Sequence, residues 1–438
     1  MSAPPVTPAA AVTRTVVTLP ERFPARRAWW IAMLVALTLL TAYAISAAVL
    51  LTRGPGVWGS NTPVVWGFDI MNYIWWLGIG HAGTLISAAL LLTGQTWRSA
   101  LNRFAEAMTL FAAACAGLYP ILHLGRPWRF YWMAPYPNTM QLWPQFKSPL
   151  SWDFFAVTTY LTVSLLFWYI GIIPDLALAR DQARKRRWQV LFGLGALGWR
   201  GSAHHWARWQ QAYRIIAAMA VPLVAMVTAS YALLLAGGPV HGWANSVFPA
   251  YFLAGAVFSG FAVVAMLAVG LRTWLGLEQI ITAAHLDRLG MLLLATGLLT
   301  LYGYAADAFT AAYAGGEEWE TLVDRVAGPY AWSYWGALLL NFAPLQLLWW
   351  RRWRTRPLVL LLIGAAVAVG MWMERFMLLV TGLYRDWLPS NTHGYTPTIW
   401  DWSLFAGSIG LFLTLFLLFV RFLPVISAYE VAEERSDG

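Results

Sequence analysis

The 438-residue chain has a single cysteine, Cys115, and only 11% charged residues. One cysteine inside an apolar run builds neither a disulfide nor a thiolate-bound iron–sulfur cluster alone. No Cys-x-x-Cys-His is present to attach a c-type haem. So little charge beside 59% hydrophobic residues excludes an ordinary soluble domain. The net charge of +9 does not indicate nucleic acid, because the basic residues sit in short loops between apolar runs, where they set orientation. Residues 1–27 are rich in Pro, Ala, Thr and Val and lack a short apolar core with a small-residue cleavage site. They read as a disordered cytoplasmic lead-in rather than a signal peptide.

What remains is long apolar runs. A span needs about 20 apolar residues, and ten runs qualify: 28–51, 66–93, 104–124, 151–173, 212–236, 247–271, 289–314, 330–350, 357–380 and 400–423. The chain is therefore expected to be an all-α, polytopic membrane protein. The loops of one side carry Arg26, Arg27, Arg98, Arg103, the run Arg184 to Arg187, Arg351, Arg352, Arg354 and Arg356, and the opposite loops carry far fewer cations. Positive-inside asymmetry puts both termini in the cytoplasm. It also makes 174–211 a basic, solvated cytoplasmic loop and 424–438 a cytoplasmic tail. Trp29, Trp30, Trp349, Trp350, Trp353, Trp400 and Trp402 sit at span ends, as interfacial anchors do.

Ionisable residues within spans cost several kcal/mol unless paired, hydrated or used. Placed by helix rise, Asp69, His123, Asp153, Asp307, Glu374 and Arg375 fall in the outer half. His81 lies near mid-membrane and Glu106 near the cytoplasm. Each has a plain structural reading: Glu374 and Arg375 as an ion pair, His123 as a helix C-terminal cap, Asp153 as an N-terminal one. His81 is flanked by Gly78, Gly80 and Gly83, which leave room for either a neighbouring helix or a flat ligand. His81 and His123 differ in depth by roughly 15–20 Å, so they do not grip one haem, and no metal or haem is expected in this chain. A histidine and a carboxylate at the outer boundary suit oxidation of a lipid-soluble quinol, whose hydroxyl protons need acceptors. His123 and Asp153 are the candidates for that role.

Several motifs carry a resemblance. They are Trp75 to Ser87, Leu122-His123-Leu124-Gly125-Arg126-Pro127-Trp128, Pro135 to Met140, Trp143 to Asp153, Met371 to Phe376 and Pro397 to Asp401. Together they resemble the NrfD/PsrC family of quinone-interacting membrane subunits, and within it the ActC branch of bacterial alternative complex III. The resemblance runs from about residue 57 to about residue 425. It implies two four-helix bundles, within 66–236 and 247–380, with peripheral helices at 28–51 and 400–423. It implies bound menaquinol or ubiquinol, with His123 and Asp153 catalytic and Asp69, His81, Glu374 and Arg375 around the quinol. Implied partners are an extracytoplasmic iron–sulfur subunit, haem c subunits and a homologous second membrane subunit in a bacterial inner membrane. Glu106, His81 and Asp307 are the expected proton-relay residues. The alternatives are the membrane subunit of a polysulfide-reductase-type complex and a proton-coupled transporter; for the latter, paired Gly/Pro-broken spans are expected and none is seen in the sequence.

Overall fold

The computed structural model describes residues 26–134, 149–238, 247–385 and 392–431, together with Phe23, Val240, Trp243 and Ser390. The Pro135 to Met140 motif and most of the Trp143 to Asp153 motif lie outside the described residues, as do most of the N-terminal lead-in and residues 432–438. Twelve helices of ten residues or more organise the described chain. These are α1 (Arg26–Arg53), α2 (Phe68–Thr84), α3 (Asn102–His123), α4 (Pro149–Gln182), α5 (Arg186–Gly195) and α6 (Ala203–Ala236). Then come α7 (Phe248–Trp274), α8 (Ala283–Ala314), α9 (Gly316–Ala327), α10 (Ala331–Phe342), α11 (Pro357–Leu383) and α12 (Ile399–Phe422). A π-helical turn, Leu85–Ala89, carries α2 on to Leu92. Among the described residues no strand forms, as expected where every backbone polar group must be satisfied without water.

Nine helices among the described residues are long and apolar enough to cross a membrane: α1 to α4, α6 to α8, α11 and α12. The chain is a multi-pass membrane protein. The run at 330–350 is different, because α10 stops at Phe342 and Pro344 opens a 3-10 segment, Pro344–Trp349. Proline supplies no N–H for the ladder, which is why the apolar run continues while the α-helix does not. The expected loop at 174–211 is also corrected. Helix α4 runs through Pro174 to Gln182, and α6 begins at Ala203. Charge lowers hydropathy there without ending the helix, since Arg184 to Arg187 face outward while Leu176 and Ala177 are buried. The 424–438 segment is no free tail either. Val425, Ile426, Ser427 and Ala428 are buried against the end of the bundle.

Helix α2 occupies the centre, touching α3, α7, α11, α12 and α6. Its glycines make this possible. A Cβ on Gly83 would lie 2.1 Å from the Ala105 carbonyl oxygen of α3, and one on Gly78 would press on Ser259 and Ala256 of α7. From α7, Gly260 meets Ala82 and Ile79 in return. Where lipid offers no hydrophobic drive for association, such close backbone approach is what holds helices together. At the periphery α1 lies along α12 in the same way, over Gly407 and Gly410. Gly83→Val is expected to destabilise the protein by about 1–3 kcal/mol, read as a lowered thermal midpoint in detergent. Gly270→Ala, where nothing lies within 4 Å of the added carbon, is the control and keeps the midpoint.

Candidate functional site

The polar residues of α2 and α3 form three levels along the bundle, all set by one antiparallel register. Gly83 faces Ala105, the Gly80 carbonyl accepts from Thr109 Oγ1 at 2.6 Å, and Asp69 meets His123. At the first level the Asp69 carboxylate Oδ2 is hydrogen-bonded to His123 Nδ1. The carboxylate is almost fully buried, while the imidazole is 25% exposed and stacks on Trp58, centroids 6.1 Å apart at 12°. Around the start of α2, Tyr395 Oη accepts from Phe68 N at 2.8 Å, and burial pushes the Tyr395 phenol pKa up. The Asp401 carboxylate caps α12 through Thr398 N at 2.7 Å and also takes Gly59 N at 2.9 Å. Two loops are thereby fixed around the pair. Beneath it Trp372 Nε1 donates to Asn72 Oδ1 at 3.0 Å, and Trp76 Nε1 and Tyr119 Oη both donate to Ser408 Oγ.

His81 forms the second level, twelve residues from Asp69 on the same helix and so about 18 Å away. It is fully buried and stacks on Tyr160 at 5.5 Å. The Leu77 carbonyl engages Nδ1 and Thr228 Oγ1 engages Nε2. A carbonyl can only accept, so Nδ1 carries the proton and Nε2 takes the threonine hydroxyl. Both ring nitrogens of His81 are thus occupied, and the neighbouring glycines are filled by helices. Gly80 abuts Tyr160 and Gly83 abuts α3.

At the third level Glu106 joins a buried ion cluster. Arg103 Nη1 lies 3.1 Å from Glu106 Oε2, and Arg103 Nη2 lies 3.0 Å from Asp175 Oδ2 and 2.7 Å from the Gly171 carbonyl. Tyr213 Oη donates to Glu106 Oε1 at 2.6 Å, and Ala428 N donates to Asp175 Oδ1 at 3.1 Å. Next to it Glu430 binds Arg98 and Asn102, each at 2.5 Å. A cavity of about 300 Å³ opens here, walled by Arg98, Tyr213, Arg214, Tyr429 and Glu430. Charge alone assigns Arg103 and Asp175 to loops, and no signal in the sequence marks them as buried partners.

The second half holds two further pairs. Arg375 Nη1 lies 2.8 Å from Glu374 Oε2, both fully buried, with the guanidinium 3.9 Å over the Phe252 ring. Asp307 Oδ2 meets Arg325 Nη1 at 3.3 Å, beside Tyr251, Tyr304 and Tyr334. Asp307, His81 and Glu106 thus belong to three separate clusters. Asp153 falls in the first turns of α4, but its side chain lies outside the described residues. Trp58, Thr228 and Tyr160 are partners that sequence reasoning missed. The Thr398-x-x-Asp401 capping spacing is a readable signal for the Asp401 contacts.

Charges buried this deeply depend on their partners. Arg103→Met is expected to cost about 3–5 kcal/mol by stranding Glu106 and Asp175, measured as lost thermal stability. The triple variant Arg103→Met/Glu106→Met/Asp175→Leu recovers much of it.

The sequence model of the family described as "Polysulphide reductase, NrfD" matches residues 56–385. A relative from Halobacterium salinarum, named as a "Putative dimethyl sulfoxide reductase membrane subunit", is 24% identical over 432 residues, covering 89% of this chain and 93% of the relative. With three quarters of its length under the family match and its helices packed around α2, the chain belongs to the NrfD family of membrane proteins.

Proposed function

We propose that the chain is the quinol-binding, quinol-oxidising membrane subunit of a respiratory or photosynthetic electron-transfer complex, of the ActC kind found in alternative complex III. The observation that carries this reading is the Asp69–His123 pair, a buried carboxylate holding a partly exposed imidazole at one end of the bundle. Asp69 takes Nδ1, which leaves Nε2 as the nitrogen to accept a proton from a quinol hydroxyl. The carboxylate then stabilises the imidazolium that forms, as an orienting acid does in other histidine bases. Oxidation of the quinol releases two protons and two electrons. His123 takes one proton and Asp153 the other, and the electrons pass to an extracytoplasmic iron–sulfur subunit and on to haem c subunits. Glu374 and Arg375 are proposed to complete the quinol surroundings from the second half, with a homologous second membrane subunit beside this chain. The site then faces outward across a bacterial inner membrane, both termini being cytoplasmic. The arginine-rich ends of α1, α4, α5 and α6 support that orientation. A division into four-helix bundles at 66–236 and 247–380 is part of the same reading.

The name of the Halobacterium relative favours a second reading. There the same quinol step sends electrons to a reductase acting on a small oxidised substrate. The two readings share the site and differ in the acceptor.

His123→Ala and Asp153→Asn are each expected to lower quinol oxidation by the assembled complex about 10²–10⁴-fold, the usual weight of a general base, with every partner protein still present in the purified complex. Normal turnover in either assembled variant removes the catalytic role. The proposal extends to proton translocation through Glu106, His81 and Asp307. Glu106→Gln, with Arg103 still held by Asp175, is expected to keep quinol oxidation and lower the protons moved per electron in proteoliposomes. An unchanged proton ratio takes Glu106 out of the relay.

A further inference from the structure

Helix α5 has no part in any of these clusters, yet the longest unbroken run of cations in the chain, Arg184-Lys185-Arg186-Arg187, leads into it. Its place is fixed by its neighbours. Two membrane-crossing helices flank it, α4 ending at Gln182 and α6 beginning at Ala203, so α5 lies at the level where both leave the hydrocarbon. One face is packed. Trp188 stacks on Phe192 at 5.6 Å and on Phe422 at the end of α12 at 6.0 Å, Ala196 is fully buried, and Tyr169 Oη donates to the Gly195 carbonyl at 2.9 Å.

The opposite face is apolar and open. Val190, Leu191, Leu194 and, just beyond the helix, Leu197 are 49%, 56%, 70% and 68% exposed. Their spacing places them in one stripe. The four cations are exposed at the head of the same helix, whose first turn holds no acidic residue. Backbone N–H groups already make that end positive, so placing cations there is unfavourable without a negative counterpart. Asp181, the nearest carboxylate in sequence, is already bonded to Arg180 at 2.7 Å. An apolar stripe facing away from the protein at the membrane boundary, with a cationic run at one end, is complementary to a phospholipid with a net negative headgroup.

We propose that α5 lies in the plane of the membrane surface and binds anionic phospholipid, its leucine stripe among the acyl chains and Arg184, Lys185, Arg186 and Arg187 at the phosphates. This rests on the membrane topology and not on the quinol reading. The test is native mass spectrometry of the full complex exposed to mixed phosphatidylcholine and phosphatidylglycerol. The wild type is expected to retain phosphatidylglycerol preferentially. R184Q/K185Q/R186Q/R187Q is expected to reduce that preference about fivefold or more, whereas R184K/R186K/R187K keeps it. Equal retention of both lipids by the wild type, or an unchanged preference in the folded glutamine variant, overturns the proposal. Release of a partner protein by Leu191→Ser/Leu194→Ser with lipid preference unchanged would assign α5 to a protein interface, and overturns it as well.

Discussion

Because α2 and α3 touch at Gly80, Gly83, Ala105 and Thr109, the two helices have a single register, and every polar level of the first half follows from it. Residue numbers that face each other sum to nearly the same value along the contact, from Gly83 with Ala105 to Asp69 with His123. A backbone contact near mid-helix therefore aligns a carboxylate and an imidazole about 20 Å away. The same contact brings Arg103 and Glu106 to the opposite end. Small residues in this fold are accordingly positioning devices for chemistry they never touch.

The charged side chains sort by how completely the protein answers them. Arg103 meets Glu106, Asp175 and a carbonyl, and its own side chain is buried. His123 is answered on one nitrogen only and keeps a quarter of its side chain open. Burial with full pairing fixes a structure, whereas burial with one open valence prepares a reaction. On that criterion the His123 end of the bundle is the reactive one.

How far these features can be read without coordinates depends on whether their signal is local. Apolar length marks the nine crossing helices, and depth by helix rise puts Asp69 and His123 at one level. The cap at Thr398 and Asp401 is written in four residues. By contrast, Arg103 and Asp175 are separated by 72 positions, and charge counting assigns each to a loop because it has no knowledge of its partner. Gly78, Gly80 and Gly83 are ambiguous for a different reason. An absent side chain makes the same space for a ring or for a helix, and here the helices take it. The 330–350 run reads as a full span because hydropathy is blind to the missing N–H of Pro344.

The docked C-terminal segment gives the molecule an order of construction. Arg98, Asn102 and Asp175 sit near the start of α3 and the end of α4, yet Glu430 and the Ala428 amide complete their hydrogen bonds. Those partners leave the ribosome only after every crossing helix has been made. Until then the first half waits in the bilayer with one end unfinished, and the last residues synthesised close what the earliest helices began.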